Sequence, residues 1–173
     1  ISTTERNISS IETVYIPNDD ILDQAVETIF SYIDSTAVFS RDIYQQNLHP
    51  AIDILASHSS VLNPQIVGDA HYETALRALS ILKKASRLEK IVSLIGESGL
   101  STEDRLLYDR ARKIRYYMTQ PFFVVENQTQ KSGTYIPLET TLQDVNYILS
   151  GKADHIPADT FLYIGNLTQI NAK

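Results

Sequence analysis

The stretch IVGDAHYETALRALSILKKASRLEKIVSLIGESGLSTEDRLLYDRARKIRYYMTQPFF, residues 66–123, decides the fold of this chain. Its apolar residues recur at steps of three and four, which is the spacing of one face of an α-helix. A loop with two glycines, residues 96–101, separates two such stripes and predicts an antiparallel hairpin of two long helices. The first stripe consists of Tyr72, Ala75, Leu76, Leu79, Leu82, Leu88, Ile91, Val92 and Ile95, and the second of Leu106, Leu107, Ala111, Ile114, Tyr117 and Met118. We expect four of these side chains to be buried between the helices: Leu76, Leu79, Leu107 and Ile114.

Local signals mark both ends of the second helix. Ser101 begins it, and Asp104 follows three residues later in a capping-box pattern, with Asp in place of the usual Glu or Gln. Pro121 ends it, because proline lacks the amide hydrogen and clashes with the preceding turn. The cluster Arg110, Arg112, Lys113 and Arg115 lies in its second half, where positive charge suits the helix dipole, and predicts a solvated or subunit-facing surface.

The residues before the hairpin follow another pattern. Short β-prone runs at 10–16 and 35–39 alternate with helical runs at 21–33 and 42–48. Alternating strands and helices predict the end of a parallel α/β sheet, in a part of the chain too short to form a whole sheet domain.

The residues after the hairpin predict more helix. Residues 138–149 have a helical period and are followed by Gly151, a favourable residue just past a helix end. Pro157 then begins a short helix. We therefore predict a mainly α fold, with a small α/β remnant at residues 1–60 and a C-terminal helical bundle domain at residues 61–173.

The bulk composition excludes several classes of function. The 173-residue chain is 43% hydrophobic and 21% charged, and its formal net charge of −6 gives no support to a nucleic-acid-binding surface. It has no cysteine, which excludes disulfides and thiolate metal sites, and no run of about eighteen apolar residues that would predict a membrane span. Because Ile1 opens the sequence and Met118 is its single methionine, we expect the natural beginning to lie upstream.

Sequence motifs for catalysis or metal binding are missing. The single Gly-Lys pair, Gly151-Lys152, is followed by Ala153 and lacks the first glycine of a phosphate-binding loop. The histidines have no metal-ligand spacing; they are His49, His58, His71 and His155. We predict no catalytic residue and no metal ligand in this chain.

Four motifs resemble a known family. Residues 61–72 (VLNPQIVGDAHY), 100–106 (LSTEDRL), 110–114 (RARKI) and 120–123 (QPFF) are similar, in the same order, to the C-terminal part of the β (catalytic) subunit of F-type rotary ATP synthases. The resemblance implies that residues 1–60 end a nucleotide-binding domain. It implies ATP or ADP with Mg²⁺, whose phosphates and metal would be held by residues upstream of Ile1, so that this chain alone should not hydrolyse ATP.

The resemblance also implies partners and a location. The partners are α-type subunits in an alternating ring and a central γ-type shaft, without nucleic acid and without a membrane span in this chain. The location is peripheral on an energy-coupling membrane, at the cytoplasmic face in a bacterium or the matrix face in a mitochondrion.

Aromatic residues match the family's adenine-contacting positions. They are His49, which precedes Pro50-Ala51, together with Tyr117, Phe122 and Phe123. Such rings hold a purine by stacking, worth roughly 1–3 kcal/mol per contact. His49 departs from the tyrosine usual in the family. The alternatives are core packing for Tyr117 and Phe122 and a plain loop residue for His49.

The loop between the long helices matches a stretch that, in the family, pushes on the rotating shaft. The family's residues are Asp-Glu-Leu-Ser-Glu-Glu-Asp, and the matching residues are Ser98, Gly99, Leu100, Ser101, Thr102, Glu103 and Asp104. Five acids have thus become two. A helix-capping turn explains the loop equally well at Ser101 and Asp104. Two further readings stay open: a diverged paralogue that drives something other than proton-linked ATP synthesis, and a non-catalytic helical interaction module.

Overall fold

The computed structural model describes residues 5–6, 8–16 and 24–170. The chain divides into two compact units, Ile1–Asp34 and Ser35–Lys173.

The described part of the first unit contains one helix, α1, at Gln24–Phe30. The strand predicted at residues 10–16 is wrong, because residues 8–16 have no regular secondary structure. A strand needs a neighbour for its backbone hydrogen bonds, and the sheet of the described residues consists of the strands at residues 35–39 and 52–59. Residues 17–20, whose Pro-Asn-Asp-Asp sequence predicts a turn, and the first residues of the helix predicted at 21–33 lie outside the described residues.

The second unit begins with a small sheet. Strand β1 (Ser35–Phe39) leads through the short helix α2 (Arg41–Gln45) to strand β2 (Ile52–Ser59). The two strands pair antiparallel, with Ser35 opposite Ser59 and Phe39 opposite Ile52. The predicted fold class, mainly α with a small α/β part, is confirmed. The strand order was not foreseen: β2 was missed, and the parallel pairing expected from the sequence is replaced by an antiparallel one.

The helical hairpin forms where the sequence predicts it. A short helix α3 (Pro64–Val67) leads into α4 (Asp69–Ile95), and α5 (Thr102–Tyr117) returns after a 3₁₀ turn at Glu97–Gly99. Ser101 caps α5, accepting a hydrogen bond from the Asp104 amide at 3.1 Å. The Ser101 hydroxyl also donates to the Asp104 carboxylate at 2.7 Å. This bond joins the two side chains and differs from the reciprocal bond of a capping box, in which the third side chain accepts from the backbone amide of the capping residue.

The remaining elements surround the C-terminal end of α5. They are a 3₁₀ turn at Phe123–Val125, α6 (Glu126–Thr129), α7 (Leu138–Leu149), and 3₁₀ turns at Ala158–Phe161 and Leu167–Gln169. The helix predicted at residues 138–149 is therefore confirmed at its predicted bounds. Gly151 follows it with φ +82°, a conformation that glycine adopts without steric cost.

The core lies where α4, α5, α7 and the segment after α7 meet. Its buried members are Leu82, Ala85, Ala111, Ile114, Tyr117, Val145, Ile148, Leu149, Ala153, Phe161 and Ile164. The burial predicted for Ile114 is confirmed, whereas Leu79 and Leu107 are half-buried and Leu76 is 44% exposed. The cause is the direction that α4 faces, since Thr74, Leu82 and Ala85 rather than Leu76 are turned inward.

The sequence predicts a solvated or subunit-facing surface for the basic cluster of α5, and the structure contradicts this for the buried Lys113, while the three arginines stay partly exposed and form ion pairs within the unit. Arg110 forms a two-point ion pair with Asp154, at 2.8 and 2.5 Å, and Arg115 pairs with Glu89 on α4 at 2.8 Å. Lys113 is buried, and its ammonium donates to the carbonyl oxygens of residues 153 and 154 at 3.1 Å. These bonds fix α5 to α4 and to the turn after α7. Among the described helices, none is long and apolar enough to cross a membrane.

Candidate functional site

His49 lies in the connection between α2 and β2, beside the end of α5. Its carbonyl oxygen accepts a hydrogen bond from the Gln120 amide at 3.0 Å. The peptide bond to Pro50 is cis, and the neighbouring Leu48 is buried. Two segments about seventy residues apart, each carrying a predicted site residue, are therefore adjacent, as expected if both belong to one site.

The His49 ring is half-buried and packs edge-on against Tyr44. The two ring centroids are 5.5 Å apart and the planes make an angle of 75°. Tyr44 is 55% exposed, so this aromatic pair lies at the surface of the unit. Edge-to-face packing is one of the arrangements that aromatic pairs prefer.

Tyr117 belongs to the core. Its side chain is completely buried, and its hydroxyl donates to the Asp144 carboxylate at 2.9 Å. Burial, together with the hydrogen bond to Asp144, raises the pKa of the Tyr117 hydroxyl well above its ordinary value. A ring packed on all sides offers no face to a base, so the predicted stacking role of Tyr117 is wrong in this structure. The alternative weighed for it, core packing, is what the structure shows.

Phe122 and Phe123 follow Pro121 and are both open to solvent, at 39% and 67% exposure. The chain after them folds back, and the Thr134 amide donates to the Pro121 carbonyl at 2.8 Å. Gly133 lies against the Phe123 ring so closely that a Cβ there would be 2.3 Å from Cδ1. Two large aromatic side chains are thus held at the surface, two and three residues after Gln120, whose amide is bonded to His49.

A cavity of about 680 Å³ opens between the α2–β2 region and the α4–α5 hairpin. Its lining includes Leu48, Pro50 and Thr119 but not His49, Phe122 or Phe123. The rings of His49, Phe122 and Phe123 therefore lie on adjacent segments of this unit, but they do not line this cavity.

The loop predicted to contact a shaft forms the tip of the hairpin. Six of its members, Ser98, Gly99, Ser101, Thr102, Glu103 and Asp104, are exposed or partly exposed, whereas Leu100 is buried. Glu97, just before the loop, pairs with Arg112 of α5 at 2.9 Å. Leu94 and Ile95 at the end of α4 are 83% and 60% exposed. The tip is thus held to α5 by the Glu97–Arg112 ion pair, and part of its exposed surface is apolar.

Sequence reasoning missed several residues around His49. Tyr44 could have been found from the sequence, because it lies only five residues before His49, in the helix α2 that ends just before the loop. Tyr163 was not: its hydroxyl meets the His49 amide at 3.0 Å across a separation of 114 residues, for which the sequence has no signal. The described residues contain no group of three or more His, Asp or Glu side chains arranged to hold a metal ion.

The comparisons with known proteins agree on the class of assembly. Residues 1–59 match the nucleotide-binding domain of the ATP synthase alpha/beta family, and residues 60–156 match the C-terminal domain of V and A type ATP synthase. The structure of the ATP synthase subunit NeqB from Nanoarcheaum equitans is similar in fold, with a TM-score of 0.62 and 23% identity over 82% of this chain. The chain spans only 35% of that subunit's length.

The type of ATPase differs from the one expected. The second family model describes the V and A types, so the comparisons support membership of the ATP synthase alpha/beta family without supporting the F-type β assignment in particular. Its match extends over more than half of the sequence. This chain therefore belongs to the family defined by the C-terminal domain of V and A type ATP synthase, and its preceding residues 1–59 match the ATP synthase alpha/beta nucleotide-binding domain.

Proposed function

We propose that this chain is the C-terminal part of a catalytic, β-type subunit of a rotary ATPase. The sequence motifs support an F-type β subunit and the family model supports a V or A type. What these share is the proposal: the chain supplies the adenine end of a nucleotide site and a helical lever that couples ATP turnover to rotation. The observation that carries it is the hydrogen bond from the Gln120 amide to the His49 carbonyl, which joins the two aromatic-bearing segments.

Binding of the adenine base is assigned to His49, Phe122 and Phe123. Phe122 and Phe123 expose part of their rings, and stacking on such rings is tolerant of base identity. Tyr117 is not assigned to the base, because its buried side chain anchors the end of α5 in the core. The chain's own part in the reaction is to bind and orient the base, while the phosphates and Mg²⁺ would be held by residues upstream of Ile1.

The lever is the hairpin of α4 and α5. The Arg115–Glu89 ion pair joins its two helices, and the Arg112–Glu97 pair braces its tip. A tip that is held rigidly can transmit a steric push. The loop at residues 98–104 would therefore press on a shaft subunit even though it has only two acidic residues where the family has five. The partners proposed are α-type subunits in the ring and a γ-type shaft, with the assembly peripheral on an energy-coupling membrane.

Phe122→Ala tests the adenine site in the full-length parent subunit. We expect ATP affinity to fall by roughly 1–3 kcal/mol, the worth of one lost stack, with turnover at saturating ATP affected less because the base contributes mainly uniform binding. Calorimetry measures the affinity. The control is Tyr135→Ala, which removes a side chain that is 79% exposed in the connection between α6 and α7. Unchanged affinity in both Phe122→Ala and His49→Ala would refute the adenine assignment.

A diverged paralogue that drives another process is the second candidate, favoured by the loss of acids from the tip loop. Measuring proton transport by the assembled parent with ATP distinguishes it from a synthase. The reading as a non-catalytic interaction module is disfavoured by the nucleotide-binding-domain match at residues 1–59. If the full-length parent binds nucleotide, the interaction-module hypothesis is wrong. If it binds none, that hypothesis is favoured.

A further inference from the structure

Tyr163 reaches the His49 loop from the C-terminal segment. Its hydroxyl accepts a hydrogen bond from the His49 amide at 3.0 Å and donates one to the Asn47 carbonyl at 2.5 Å. One hydroxyl group thus satisfies a backbone donor and a backbone acceptor on either side of Leu48. The turn before Pro50 is held by this side chain rather than by a regular hydrogen-bond ladder.

The backbone of Tyr163 is bonded to the other aromatic-bearing segment. Its amide donates to the Thr119 hydroxyl at 3.0 Å, and the Thr119 side chain is almost fully buried. Thr119 directly precedes Gln120, whose amide is bonded to the His49 carbonyl. Tyr163, Thr119–Gln120 and His49 therefore form a closed ring of hydrogen bonds.

The conformation of Tyr163 indicates that its side chain is needed where it stands. Its φ of +54° lies in the left-handed region, which disfavours bulky residues and which glycine would adopt freely. Such a conformation persists only where the surroundings fix it. Lys131 does so: its ammonium donates to the Leu162 carbonyl at 2.9 Å and lies 5.5 Å from the centre of the Tyr163 ring.

We propose that Tyr163 is a positioning residue for the adenine end of the site, where it sets the spacing between His49 and Phe122. The inference rests on the proposed function, because it assumes that these rings hold the base. Tyr163 itself does not contact the base. It acts through the two segments to which it is bonded, so its removal lets them separate and costs binding rather than chemistry.

Tyr163→Phe in the full-length parent is the test, since it keeps the ring and deletes both hydroxyl bonds. We expect ATP affinity to weaken about three- to tenfold, the range of one ordinary net hydrogen bond, with turnover at saturating ATP unchanged. Hydrogen exchange of the His49 amide should become faster. Tyr135→Phe deletes an exposed hydroxyl and should change neither quantity.

The outcomes separate the two proposals. Unchanged affinity in Tyr163→Phe, when Phe122→Ala weakens binding, would overturn the positioning role and leave the adenine site standing. Unchanged affinity in both variants would overturn both. A variant whose melting temperature and turnover fall along with its affinity would show that the hydroxyl serves the general fold, which also overturns the positioning role.

Discussion

Asp144 ties two parts of the second unit together at the level of single side chains. One of its carboxylate oxygens accepts from the Tyr117 hydroxyl and from the Leu167 amide, each at 2.9 Å. The carboxylate thereby joins the end of α5 to the C-terminal segment. Hydrogen bonds to a charged acceptor are stronger than those between neutral groups, so this junction is a strong one.

The stability of the chain should fall in alkali because of buried tyrosine hydroxyls. Burial raises the pKa of Tyr117, and it raises the pKa of Tyr108 and Tyr163 as well. A group whose folded pKa is raised contributes stability that is complete below its unfolded pKa, about 10, and is lost as the pH rises toward the folded value. We therefore expect the free energy of unfolding to be constant near pH 8 and to decline above pH 10.

Urea unfolding at pH 8, 10 and 11 checks this expectation. Tyr117→Phe should lose stability at pH 8, because Asp144 loses a donor, and should decline less steeply above pH 10 than the unchanged protein. The slope that remains belongs to Tyr108 and Tyr163. An unchanged alkaline slope in Tyr117→Phe would contradict the burial argument.

Among the elements, α4 shows how a long helix uses its apolar residues unevenly. Leu82 and Ala85 lie in the core, whereas Leu94 at the tip is 83% exposed. The last turn of α4, at the tip of the hairpin, carries the exposed apolar side chains of Leu94 and Ile95. The two leucines offer a matched pair on one helix.

Leu82→Ala should destabilise the chain by about 2–5 kcal/mol, since it removes buried methyl groups and leaves a cavity. Leu94→Ala should change stability by only a few tenths of a kcal/mol, as is usual for surface substitutions. Chemical denaturation of the two variants, compared with the unchanged chain, measures the difference. Equal losses in both would show that the exposed end of α4 is covered in solution.

The elements also show what the sequence could and could not reveal. Periodicity and capping residues are local, so the hairpin, α7 and the Ser101 cap were all predictable. The strand β2 was missed because its pairing with β1 depends on a chain reversal through α2, which no local signal records. The burial of Tyr117 and the contact between Tyr163 and His49 depend on tertiary packing. The periodicity of the sequence does not show whether either tyrosine is buried or exposed.

At the scale of the whole molecule, the question is which parts of a nucleotide this chain could recognise. Residues 1–59 match a nucleotide-binding domain, and residues 60–156 match a C-terminal domain. The sequence contains no phosphate-binding loop, while the proposed base-stacking rings lie on one unit. Recognition of the base and recognition of the phosphates would therefore be separable in this protein.

The chain alone should distinguish poorly between ATP and adenosine. Stacking on His49 and Phe122 would hold the base in both ligands, and the net charge of −6 gives a triphosphate no additional attraction. We expect ATP to bind no more tightly than adenosine, and Mg-ATP to show no turnover above the spontaneous rate. Titrations followed by NMR, with Phe122→Ala as the control, measure the binding, and a phosphate-release assay measures the turnover. Turnover that copurifies with the chain and survives a second purification would mean that groups for the phosphates are present within these residues.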